Sequence, residues 1–250
     1  MLWNTPPAPL VRARPVERDR LRAMRILAVE TATLAGSAAL IEDGQVIGAT
    51  SLEIPVTHSE RLMAMVDRLL QECGRDIEKM DALAVSIGPG SFTGLRVGIA
   101  TIKGLALTLG LPVAPVPTLD ALASNLPFAD SVVCPLLDAR KGEVYCSLYR
   151  WREDRMERLS EYLALPPQSL AERLTPPVIV IGDGVPACRP FLAHLGRGVR
   201  EAPASHSAPA AAVVGLLGGT ILASGHAVAG DALQPLYLRP SEAELKARRV

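Results

Sequence analysis

The run Gly88-Pro89-Gly90-Ser91-Phe92-Thr93-Gly94-Leu95-Arg96 holds the densest set of residues able to grip a ligand. It follows an apolar stretch of strand character and opens a helix. Free backbone N–H groups at a helix start, the helix dipole and the Arg96 guanidinium together favour an anion. Ser91 or Thr93 can cap that helix. The run is not G-x-G-x-x-G, because Thr93 stands at the third glycine position, and it is not a P-loop, because no G-K-[ST] follows. A capped turn without a ligand accounts for the same residues, so the loop alone leaves both readings open. A second glycine pair, Gly182 and Gly184, follows another apolar stretch, and Glu30 and Asp138 each close an apolar run with a carboxylate. Two carboxylates and two glycine turns facing one cleft could hold a nucleotide. The candidate nucleotide- or anion-binding residues are therefore Glu30, Gly88, Gly90, Ser91, Thr93, Gly94, Arg96, Asp138, Gly182 and Gly184.

Other chemistries lack their residues. His58, His194, His206 and His226 form no H-x-x-x-H or H-E-x-x-H, so no metal site is expected. Ser91 has no identifiable histidine partner for a hydrolase triad. Cys73, Cys134, Cys146 and Cys188 form no C-x-x-C pair. A hairpin turning at position 140 would set Cys134 opposite Cys146, as a disulfide or as two reduced core thiols. Aromatic residues make up 4% of the chain, too few for a base-stacking platform. Lys+Arg and Asp+Glu balance at 26 each, so no global basic field draws the protein onto nucleic acid.

These residues need a scaffold, and the sequence repeats one. Strands are expected at 25–30, 37–41, 45–54 and 82–87, with a hairpin at Asp43-Gly44 and helices at 59–73 and 93–109. The order recurs as strands at 131–138, 142–151, 156–165 and 177–181, a short helix at 168–174, and a helix starting near Pro186. Glu30 and Asp138 end the first strand of each copy, and Ile87-Gly88-Pro89-Gly90 mirrors Ile181-Gly182-Asp183-Gly184. This repetition implies an α/β fold duplicated around a cleft. Its expected parts are residues 24–125 and 126–208, with a helix near 209–224 packing back on the first part, and a C-terminal segment, 231–250, whose end lacks order. Residues 1–23, rich in proline and arginine, read as a disordered or mis-started extension.

Residues 202–230 carry no Asp, Glu, Lys or Arg, yet are rich in Ala and Gly and contain Pro203 and Pro209, which suits a buried helix better than a membrane span. Helices 59–73 and 93–109 carry more apolar surface than one core contact requires. Central burial and a second-protein contact both explain this. For the contact, the candidate partner residues are Leu62, Met63, Met65, Val66, Leu69, Val97, Gly98, Thr101, Gly104 and Thr108. A charge at Met65, on the edge of its stripe, is then expected to weaken association without unfolding the chain.

The opening Ile26–Ala32, the run Gly88–Arg96, Asp138-Ala139-Arg140 with Gly142–Tyr145, and Pro235–Arg239 resemble the bacterial TsaB (YeaZ) family over almost all of residues 24–240. The resemblance implies a duplicated actin-like ATPase fold of the sugar kinase/Hsp70 type, in which two βββαβα units flank a cleft. It implies a cytoplasmic, non-catalytic subunit required for N6-threonylcarbamoyladenosine (t6A) at position 37 of tRNA. Its implied partners are the catalytic paralogue TsaD, the ATPase TsaE and a second copy of itself, with tRNA met only through the complex, no membrane, and ATP or ADP, if anywhere, at a subunit interface. TsaD carries a metal-binding H-x-x-x-H after its glycine-loop helix, and Thr118 and Leu122 stand at those positions here. Neither is a good ligand. The competing classes are a self-sufficient ATP-dependent transferase or kinase using Glu30 and Asp138, and a peptidase, a label once given to the wider family.

Overall fold

A computed structural model describes residues 24–54 and 58–239. The expectations for residues 1–23 and for the chain beyond residue 239 lie outside them. The first half opens with an antiparallel meander of β1 (Arg25–Glu30), β2 (Gly36–Glu42) and β3 (Gln45–Leu52). Asp43 (φ 50) and Gly44 (φ 71) make the β2–β3 turn, with the paired positive φ of the tight hairpin type that Asp-Gly favours. Next come α1 (His58–Glu72), β4 (Ala82–Gly88), α2 (Phe92–Leu109) and β5 (Val113–Pro117). The sheet order is β3-β2-β1-β4-β5, with β4 parallel to both β1 and β5.

After α3 (Thr118–Ala123), the second half repeats the plan with β6 (Val132–Arg140), β7 (Glu143–Cys146), β8 (Tyr149–Arg152), β9 (Arg155–Arg158) and β10 (Leu163–Leu165). It continues through α4 (Pro167–Ala171), β11 (Val178–Ile181), α5 (Val185–Leu192) and β12 (Val199–Glu201). Again the opening strand, β6, pairs antiparallel with its successors β7 and β8 and parallel with β11, and β12 lies parallel beyond. The chain is a duplicated actin-like α/β fold. Its last helix, α6 (Ala211–Ala223), returns to the first sheet.

Burial obeys the two-residue period of a strand. Leu27 and Val29 of β1 face α1 and α2, together with Leu83 and Val85 of β4. Ile26 and Ala28, with Ala82 and Ala84, face α6. Alanines dominate this second face, and α6 answers with glycines. A Cβ on Gly215 would stand 2.5 Å from Ile41 Cγ1, and one on Gly218 would stand 2.7 Å from Ala84 Cβ. The charge-free, Ala/Gly-rich stretch is thus a closely packed helix of 13 residues, too short to span a bilayer core. α2 is long and apolar enough, by length and composition, to cross a membrane. In this structure Leu95, Ile99, Ile102 and Ala106 lie buried on the sheet side. α3 belongs to both halves: Ala121 joins the core under α6, while Leu119 and Leu122 pack against Val133 and Tyr149 of the second.

Three expectations are corrected. The strands expected at 142–151 and 156–165 are each split, into β7 and β8 and into β9 and β10. At the break, side chains replace the ladder: Ser147 Oγ bonds Ser160, and Leu148 N–H donates to Ser160 Oγ at 2.9 Å. β5, absent from the expected strands, is a proline-containing edge strand, a place where proline is tolerated. Cys146 lies opposite Leu136, not Cys134, because the hairpin turns at Lys141-Gly142 rather than at position 140. All four thiols are free.

Candidate functional site

The two glycine turns are pseudo-symmetric copies. Gly88 (φ 119) and Gly182 (φ 117) share a backbone conformation that side chains rarely adopt. Each turn packs on the first strand of its own half or on the residues just after it. Ser91 N–H donates to the Ala32 carbonyl at 2.7 Å, and Gly184 N–H to the Leu136 carbonyl at 3.0 Å. A Cβ on Gly90 would stand 2.5 Å from the Ala32 oxygen, and one on Gly88 would stand 2.5 Å from the Leu236 oxygen. A Cβ on Gly182 would collide with the Leu136 oxygen. These glycines admit the chain's own backbone.

Several of the donors expected to meet an anion have partners within the chain. Ser91 caps α2, its Oγ accepting from Gly94 N–H at 3.3 Å, and Leu95 N–H donates to the Ser91 carbonyl. Arg96 lies 3.9 Å above the Phe92 ring, and its Nε reaches Tyr237 Oη at 3.4 Å. Thr93 is exposed on the first turn.

Glu30 differs from a ligand-binding carboxylate. It is 0% exposed, and its Oε1 accepts Ala32 N–H at 2.6 Å. Burial pushes its pKa from 4.5 up to about 8, the Ala32 N–H opposes the rise, and the Asp183 charge adds to it. At neutral pH the group is largely protonated. Glu30 Oε2, Ser86 Oγ and Thr118 Oγ1 are all buried without a hydrogen-bond partner. Ser86 stands on the strand beside Glu30, and Thr118 opens α3. The polar end of the first sheet is therefore sealed by the chain.

Asp138 engages its own neighbour: Oδ1 accepts Arg140 N–H at 2.7 Å, and Oδ2 lies 3.1 Å from Arg140 Nη1. The carboxylate whose charge acts on Glu30 is Asp183, which is not among the candidate residues of the sequence analysis. Asp138 N–H donates to Asp183 Oδ1 at 2.9 Å, and burial raises the Asp183 pKa. Its position between Gly182 and Gly184, mirroring Pro89 between Gly88 and Gly90, was the available signal.

The metal positions of the catalytic paralogue do not fit a metal here. Thr118 and Leu122 are both fully buried and offer at most one hydroxyl. Among the described residues, no group of three His, Cys, Asp or Glu gathers in a metal-binding arrangement.

The two helices proposed for partner contact present different faces. On α1, Leu62, Met65, Val66 and Leu69 pack into the core of the single chain rather than forming its outward face, which corrects the sequence reading of them as outward residues. Their spacing is that of a single buried stripe. The outer face is largely polar, with Asp67, Arg68, Gln71 and Glu72, and Met63 (46% exposed) is the large apolar side chain on it among the described residues. Gly98 is also internal: its missing Cβ makes room for Thr31, whose hydroxyl donates to the Gly94 carbonyl at 2.8 Å.

α2 keeps an outward stripe. Val97, Ala100, Thr101, Gly104, Leu107 and Thr108 recur at helical spacing and none is charged. Leu107 is 68% exposed. Gly104 has nothing within 4 Å of where its Cβ would be, so this chain's own packing does not require a glycine there.

A family model described as "TsaD: tRNA N6-adenosine threonylcarbamoyltransferase" matches residues 54–243. The TsaB protein of Escherichia coli is 36% identical over 222 residues, covering 86% of this chain and 95% of that protein. The Bacillus subtilis TsaB is 35% identical over 136 residues, covering 54% of this chain and 59% of that protein. The structure of YeaZ from Pseudomonas aeruginosa superposes with a TM-score of 0.75 at 30% identity, over 86% of this chain and all of that one. At this identity and coverage, the chain belongs to the bacterial TsaB (YeaZ) family of tRNA threonylcarbamoyladenosine biosynthesis proteins.

Proposed function

We propose that this chain is the non-catalytic partner subunit of the t6A-forming system, and that it engages a TsaD-type paralogue through the outer stripe of α2. One observation carries the reading: α2 exposes an uncharged stripe centred on Gly104, which nothing in the chain approaches, with the exposed Leu107 at its edge. A mid-helix glycine costs roughly 1 kcal/mol relative to alanine. Here it would be offset by the close approach of a second helix. Met63 on α1, together with Val97, Thr101 and Thr108, extends the surface, and self-pairing would use the same face.

Non-catalysis is supported by positive features. Glu30 is neutral and sealed, Asp138 is held by Arg140, and the glycine turns enclose backbone oxygens. A self-sufficient transferase would need these groups open to nucleotide and acceptor. Any nucleotide effect on this chain would arise at a subunit interface, where TsaE could also bind, and tRNA would be met through the assembly. Reconstitution with purified TsaD-type and TsaE-type proteins tests the proposal. Modification should require this chain, while the chain alone should hydrolyse no ATP. A turnover near ~1 per second by the chain alone, abolished in Asp183→Ala, would instead establish the transferase.

A further inference from the structure

The segment Leu233–Arg239 contains the Pro235–Arg239 motif, which the proposed subunit role does not use. It starts in the first half, where Leu233 is fully buried in the core under α1 and α2. Leu236 N–H then donates to the Ile87 carbonyl at 2.7 Å, and the Leu236 carbonyl lies against Gly88. Tyr237 stacks on Phe92 at 4.8 Å between ring centroids, with Arg96 on the same ring. Two residues later the segment has reached the second half. Arg239 Nη1 lies 2.6 Å from Glu143 Oε2, both side chains mostly buried, and lies 3.4 Å from the Ala139 carbonyl.

We propose that residues 233–239 form a latch that fixes the opening between the two halves of the molecule. The halves are joined covalently by the α3 region and by the chain running from β12 to α6, and these crossings lie together: the Asn125 side chain donates to the carbonyls of His206 and Ala208. Two adjacent crossings make a hinge. A third, non-covalent tie from the Gly88 turn to the 139–143 hairpin removes the freedom that a hinge gives. The latch holds both its ends with side chains rather than with a continuous strand ladder, so it can be released without breaking either sheet. It also connects the first turn of α2 to the second half, so a load placed on α2 is transmitted across the cleft. An actin-like protein held in this way works as a rigid body.

The double variant Tyr237→Ala/Arg239→Ala of the full chain tests the latch by amide hydrogen exchange and small-angle scattering. The Leu236 amide should exchange at least about tenfold faster than in the wild type, the radius of gyration should rise, and the β1 and β6 amides should stay protected. Arg239→Ala alone, which leaves the Phe92 stack intact, should raise the radius of gyration while changing Leu236 exchange less. An unchanged Leu236 rate, or a released segment with an unchanged radius of gyration, overturns the proposal. If the double variant loses protection in β1 and β6 as well, the single variant decides, and an unchanged radius there overturns it too.

Discussion

Glu30 shows how much a single carboxyl depends on its surroundings. At the end of β1 it could have been a cleft carboxylate; buried, it is an acid whose pKa is about 8. Because the folded pKa lies above the unfolded one, its contribution to stability is fully present below about 4.5 and is lost as pH rises through about 8. Glu30→Gln removes this loss. The variant should gain stability relative to the wild type between pH 5 and pH 8, by roughly 1.4 kcal/mol per pH unit at most, and the gain should level off above pH 8. Paired thermal melts across that range check it, and a difference independent of pH would refute it. The thiols respond to burial in the same way. Burial pushes Cys146 up to about 12 and Cys188 up to about 11, and Cys134 is raised as well. Native protein should therefore show rapid thiol-reagent labelling only at half-buried Cys73 among these residues, with Cys134, Cys146 and Cys188 reacting on unfolding.

At the scale of elements, α1 and α2 look alike in sequence and differ in space. Met65 lies beneath α1 with Leu62 and Leu69, so Met65→Glu should destabilise the fold by several kcal/mol rather than act on association alone. Chemical denaturation checks the loss; a stable Met65→Glu monomer would contradict the packing. Gly182→Ala should also destabilise, by roughly 1–3 kcal/mol, because of its positive φ and the Leu136 oxygen. Strand and helix positions were legible because alternation and the 3.6-residue period appear directly in residue order. The duplication was legible from Glu30 and Asp138 and from the two glycine turns. Which side of a helix meets the core was not read for either helix: the single buried stripe of α1 was taken as partner surface, and α2 is apolar on both sides. The split at Ser147 and Ser160 was hidden because it depends on one long-range side-chain pair. Asp183 was hidden because its role comes from the opposing half. The glycine turns were visible in the sequence, but their occupants, the oxygens of Ala32, Leu136 and Leu236, lie far away along the chain.

At the scale of the whole molecule, the Glu30 carboxyl is buried, the glycine turns pack on backbone oxygens, and α2 keeps an exposed apolar outward face. The cleft carries a protonated acid, carbonyl-filled glycine turns and a crossing segment. The outward stripe of α2 carries no charge, centres on Gly104 and has the exposed Leu107 at its edge. Leu107→Asp tests the account most directly. The side chain is exposed in the free chain, so the variant's own stability should stay within about 0.5 kcal/mol of the wild type. In a complex, the charge would be buried without a partner, at a cost of several kcal/mol, which weakens binding roughly a hundredfold or more. Isothermal titration against a TsaD-type paralogue is the measurement. The account predicts a folded Leu107→Asp chain whose affinity falls at least about a hundredfold, with t6A formation falling alongside it. A folded variant that binds and supports modification as the wild type does would contradict it.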